Sequence, residues 1–91
     1  MKNWKIDEAG KAVIFLFEME GVAENENGEP ENSAVAIKVE YKTRLPEEHR
    51  LLALSRKFVE RGLPGMEGYP LRPITEGEYA QYDDEDDEEA A

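Results

Sequence analysis

His49 is the only histidine in the chain, so a search for catalysis starts there. A general base needs a nucleophile within reach and a partner that orients it. Tyrosines apart, the only hydroxyls are Ser33, Thr43, Ser55 and Thr75, and none sits in a nucleophile motif. His49 falls on the polar side of a predicted helix, where a solvated imidazole is the simpler reading. Carboxylate pairs are plentiful: Asp7/Glu8, Glu18/Glu20, Glu24/Glu26 and Glu47/Glu48. Acid–base work by such a pair requires surroundings that drive two pKa values apart. A chain of 91 residues offers little depth for a cleft. Glu18 and Glu20 are therefore expected to be solvated, and the protein is expected not to be an enzyme.

No cofactor or metal site is expected either. The chain has no cysteine, which excludes thiolate ligands, a cysteine nucleophile and disulfides. The segment ENENGEPEN resembles a calcium loop in composition only. Setting Gly28 at the obligatory glycine puts Ala23 at the first ligand position and Ala34 at the last, so the EF-hand pattern fails.

Charge is the stronger signal. There are 22 acids against 11 bases, a net charge of −11 and a pI near 4.5. The distribution is uneven. Residues 83–89 are seven consecutive acids, whereas residues 38–61 carry seven bases against four acids. Lys38, Lys42 and Arg44 on a strand, with Arg50, Lys57 and Arg61 on a helix flank, could form two basic patches. Neither is interleaved with aromatics for base stacking, and the acidic remainder would repel phosphates. That argues against direct nucleic-acid binding. Pairing of these bases with Glu40, Glu47, Glu60 or the tail is the simpler reading. Seven like charges would speed association with a basic partner and make it sensitive to salt. The expected partner is a protein with a basic surface, by analogy with acidic inhibitors of nucleic-acid enzymes.

The segment before the tail supplies the candidate contacts. Tyr69, Tyr79 and Tyr82 offer contact area at low entropy cost, and Leu71 and Ile74 offer apolar anchors. Pro70-Leu71-Arg72-Pro73 has a P-x-x-P pattern, and Thr75-Glu76-Gly77-Glu78 resembles an acidophilic kinase site. With Asp83, Asp84, Glu85, Asp86 and Asp87, these residues are the predicted partner-binding set.

The elements that must position them follow from periodicity. Trp4-Lys5-Ile6-Asp7 predicts a short strand and residues 12–20 a second, with Val13, Phe15, Phe17 and Met19 on one face and Ile14 and Leu16 on the other. Residues 21–32 predict a long, mobile acidic loop, because Asn27-Gly28 favours a turn and Pro30 would interrupt a ladder. Residues 34–45 predict a third strand. Pro46 predicts the first helical position, and Gly62 followed by Pro64 the helix end. Leu51, Leu52, Leu54, Ser55, Phe58 and Val59 fall on one helical arc. The predicted core is Trp4, Ile6, Val13, Phe15, Phe17, Met19, Val35, Ile37, Val39, Tyr41, Leu45, Leu51, Leu54 and Phe58.

The expected fold is α+β. A β-β-β-α core over residues 1–62 forms a three-stranded antiparallel meander with one amphipathic helix on one face. An extended Pro/Gly-rich arm covers residues 63–82 and a disordered acidic tail residues 83–91. The longest apolar run, Ala12 to Phe17, is far short of a membrane span, and no signal peptide is visible. This predicts a cytoplasmic protein without a membrane partner. The functional expectation is a non-enzymatic acidic protein-binding module. It would be an inhibitor or adaptor acting on a nucleic-acid-handling protein, and its small, cysteine-free chain fits a phage or mobile-element origin. The alternative is an assembly component whose arm docks on a neighbouring subunit.

Overall fold

The computed structural model describes residues 2–82. The order is β1 (Trp4–Asp7), β2 (Ala12–Glu24), β3 (Pro30–Glu40), α1 (Glu48–Arg61) and β4 (Leu71–Pro73), with a short helix over 76–82. This is an α+β domain. β1, β2 and β3 form an antiparallel meander, and β4 adds antiparallel to β2. Among the described residues no helix is long and apolar enough to cross a membrane. The predicted acidic tail, residues 83–91, lies outside the described residues.

β2 is central because both of its faces are apolar. Val13, Phe15, Phe17 and Met19 face α1 and are buried with Trp4, Leu51 and Leu71. Phe58 from α1 lies between two β2 rings, 5.7 Å from Phe15 and 5.9 Å from Phe17. On the opposite face Leu16 is also buried, as is Ile74. β1 and β4 share one edge of β2 end to end, and they meet at Leu16. Its N–H donates to the Asn3 carbonyl (2.7 Å) and its carbonyl accepts from Ile74 N–H (3.3 Å).

A buried polar pair locks this junction to α1. Asn3 Nδ2 donates to the Leu16 carbonyl at 3.1 Å, and Asn3 Oδ1 accepts from Ser55 Oγ at 3.0 Å. Buried polar groups cost little only while they are paired. Asn3→Ala should therefore cost about 1–3 kcal/mol, because it strands the Ser55 hydroxyl. Adding Ser55→Ala should cost less than the sum of the two single losses. Urea midpoints of the two single variants and the double variant test this; strict additivity would contradict it.

α1 starts two residues later than the proline suggests, at Glu48. Glu47 is the N-cap and Pro46 precedes it, so the proline sets the entry to the helix rather than its first residue. The stop is as expected. Gly62 has φ 72° and donates its N–H to the Phe58 carbonyl. A Cβ there would lie 3.3 Å from Glu67 Cα, so both the backbone angle and the close approach favour glycine.

The region predicted as a long mobile loop is mostly ladder. β2 continues to Glu24 and β3 begins at Pro30. The break is a bulge: between the pairs Met19↔Ser33 and Ala23↔Glu31, three residues of β2 face one of β3. Gly21 takes φ 70° there and its N–H donates to Asn32 Oδ1, which absorbs the mismatch without ending the pairing. Pro30 is tolerated because it sits at the first position of an edge strand. Only Asn25–Glu29 form the turn.

The third strand stops at Glu40 rather than at Leu45. Leu45 is 41% exposed, outside the core assigned to it. The arm does not run extended throughout. Residues 71–73 are strand, and 76–82 turn into helix because Thr75 and Glu78 form a capping box. Glu78 N–H donates to Thr75 Oγ1, and Thr75 N–H donates to Glu78 Oε1, both at 3.2 Å. The four residues that resemble a kinase site are thus a helix start.

Candidate protein-binding surface

The predicted contact residues separate by burial. Leu71 is 5% exposed and Ile74 0%, so both belong to the protein's own core. This corrects their reading as partner anchors: pairing of β4 with β2 turns Leu71 under α1, and Ile74 is bonded to Leu16. The P-x-x-P segment is β4 itself, and its backbone is committed to the sheet. Tyr69 remains exposed in the turn before β4, at 39%. Tyr79 and Tyr82 are half-buried on the short helix. Asp83, Asp84, Glu85, Asp86 and Asp87 lie outside the described residues.

Tyr82 anchors the short helix to β2. Its hydroxyl donates to Glu18 Oε2. Glu18 Oε1 accepts from Arg72 Nε (3.1 Å) and Nη2 (3.0 Å), and Glu78 lies 3.7 Å from Arg72. Glu18 is therefore not solvated as predicted: it is 9% exposed. Glu20 is exposed. No local pattern marks Glu18, because its partners are 54 and 64 residues away in sequence.

The hydrogen bond from Tyr82, helped by the hydrogen bonds and charge of Arg72, holds the Glu18 carboxyl below its ordinary pKa of 4.5, against the opposing pull of burial. A carboxylate lowered in the folded state adds stability above its unfolded pKa. That stability is lost as pH falls through the lowered value. Stability should thus drop as pH falls below about 4.5, and Glu18→Gln should flatten part of that drop. Urea midpoints measured against pH for both proteins check this. Identical pH profiles would show that the contact contributes nothing.

The most prominent acidic surface within the described residues is the β2–β3 turn. Glu24, Glu26, Glu29 and Glu31 are all exposed there. No cation among the described residues pairs with any of them. The turn is nonetheless well defined. Asn25 Oδ1 accepts from Asn27 N–H and Glu29 N–H, each at 2.9 Å, and Asn25 N–H donates to the Glu29 carbonyl at 3.0 Å. The asparagine thus fixes the backbone of a turn that carries four exposed glutamates at one end of the sheet. Composition marks this segment as acidic; it does not show that the segment is held.

The basic residues are exposed as well. Lys38, Lys42, Arg44, Arg50, Lys57 and Arg61 make no ion pair among the described residues, so the expected pairing with Glu40, Glu47 or Glu60 is not seen. His49 lies exposed on α1 with Nδ1 3.2 Å from Glu47 Oε2. Among the described residues no group of three or more His, Asp or Glu is placed to hold a metal ion. The chain matches no family model, and no curated protein or solved structure is significantly similar to it.

Proposed function

We propose that the protein is a non-enzymatic acidic protein-binding module of the cytoplasm, an inhibitor or adaptor that engages a basic surface of a nucleic-acid-handling partner. A phage or mobile-element origin suits so small and acidic a chain. The observation that carries this reading is the β2–β3 turn. Its four carboxylates are exposed and lack cationic partners among the described residues, and the Asn25 side chain holds the backbone of the turn between them. A preformed turn costs little further backbone entropy on binding, and charge of one sign on it complements a basic surface. The seven acids of residues 83–89 add long-range attraction of the same sign. Tyr69 is the exposed aromatic among the predicted contacts. The assembly reading draws no support from Leu71 and Ile74, which are already buried.

The test is affinity capture from a lysate of the source cells with the full chain and with residues 1–82, at low and high salt, with and without added nucleic acid. The reading expects a nucleic-acid-handling protein that is released by salt and displaced by nucleic acid. A retained set that ignores both additions would contradict it.

A further inference from the structure

The buried Asn3–Ser55 bond sets how α1 lies on the sheet. Ser55 meets Asn3 beside the edge that β1 and β4 share, so that flank of the helix is turned toward this edge. At about 100° per residue, Leu54, Phe58 and Arg61 fall on the other flank, with Lys57 just beyond them. Leu54 and Phe58 are only half-buried there, and Lys57 and Arg61 are exposed.

The chain that follows α1 supplies a facing wall. Gly62 turns it back, and Met66 N–H donates to the Leu63 carbonyl at 2.8 Å. Gly65 N–H donates to the Glu67 carboxylate, 2.8 Å from Oε2 and 3.1 Å from Oε1. Between this turn and the last two turns of α1 lies a cleft of about 450 Å³. Leu54 and Phe58 line it from the helix, and Pro64 and Glu67 from the turn. Lys57 and Arg61, one helical turn apart, complete the helix side.

Size and charge decide what this cleft suits. Its volume and its apolar lining with a few charged groups are those of a small-ligand site. Lys57 and Arg61 make no ion pair among the described residues. Glu60 is exposed on the same helix and pairs with neither. Glu67 is the one acid in the lining, and its oxygens already accept from Gly65. Two bases against one acid leave a single net positive charge in the lining. The partial negative charge at the end of α1 reduces this without cancelling it. The chain as a whole carries −11 and repels polyanions. A monoanion matches the lining. Arg61 can take a carboxylate through two parallel N–H bonds, and Lys57 can add a third.

We propose that this cleft binds a small monocarboxylate with an apolar body. The body lies against Leu54 and Phe58, and the carboxylate sits between Arg61 and Lys57. The site is separate from the acidic β2–β3 turn and does not depend on the protein-binding role.

The test is an NMR titration of the full chain with phenylbutyrate at physiological ionic strength, where general repulsion of anions is screened. Phenylbutanol keeps the body and removes the charge; acetate keeps the charge and removes the body. Phenylbutyrate should shift the Leu54 methyl, Phe58 ring and Gly62 amide signals together and saturably. A probe of this size should bind with a dissociation constant on the order of a millimolar. Phenylbutanol should bind about tenfold more weakly, because it forfeits the charged hydrogen bonds. Acetate should leave the Leu54 and Phe58 signals in place. Arg61→Gln and Lys57→Gln should each weaken phenylbutyrate severalfold and leave phenylbutanol unchanged. Both side chains are exposed, and Trp4 fluorescence reports that the variants are folded. Absence of saturable shifts at probe concentrations about tenfold above the expected constant overturns the proposal. Equal affinities for phenylbutyrate and phenylbutanol also overturn it, as does phenylbutyrate binding that neither variant weakens. Shifts of the same signals on raising protein concentration alone would assign the cleft to a second copy, and would overturn it too.

Discussion

Phe17→Ala should leave much of the population unfolded in mild denaturant, the largest stability loss expected of any single substitution in this chain. Phe17 is fully buried. It pairs across the sheet with Val35 of β3 and Pro73 of β4, and its ring meets Phe58 of α1. Truncation therefore opens a cavity where four elements converge. Phe→Ala at such a site costs about 3–5 kcal/mol, and a domain of this size holds on the order of 5–10 kcal/mol. Leu52→Ala, on the exposed side of α1, should change stability by no more than about 0.5 kcal/mol. Urea unfolding followed by circular dichroism compares the two. A Phe17→Ala midpoint close to wild type would mean that the core is not organised around β2.

Much of this core can be read from the sequence for a simple physical reason. Along Val13, Phe15, Phe17 and Met19, and again along Val35, Ile37 and Val39, apolar residues recur every second position, and only a strand puts them on one face. The helix is legible too, because Leu51, Ser55 and Phe58 share a face and Gly62 ends it. What escapes is set by distant partners. Gly21, Asn25, Gly28 and Pro30 each read as loop residues, yet a bulge accommodates Gly21 and an edge position accommodates Pro30, so the ladder runs on. β4 is three residues long with a proline in it, and its identity depends on Glu18 and Leu16 lying alongside. The Thr75–Glu78 capping box is visible in the sequence, but seven helical residues give no apolar stripe to support it. For the candidate surface, composition supplies the acidity, and the Asn25 side chain that orders it becomes apparent only in three dimensions.

The second large effect concerns association. If the carboxylates of the β2–β3 turn meet a basic surface, replacing Glu24, Glu26, Glu29 and Glu31 with glutamine removes four charges and leaves the turn's asparagine bonds in place. Electrostatic steering acts mainly on the encounter, so the association rate should fall by roughly tenfold or more, with a smaller change in dissociation. Stability should scarcely change, because these side chains are exposed and have no cationic partners among the described residues. Lost attraction is thereby separated from lost fold.

The most direct measurement is the association rate of the captured partner with wild-type chain and with the four-glutamine variant, across a series of salt concentrations. An acidic binding module predicts a wild-type rate that falls steeply with salt and a variant that is slower at low salt, the two converging as salt screens the charge. Equal rates for the two proteins, flat across the salt series, would contradict the account and move the binding surface elsewhere on the molecule.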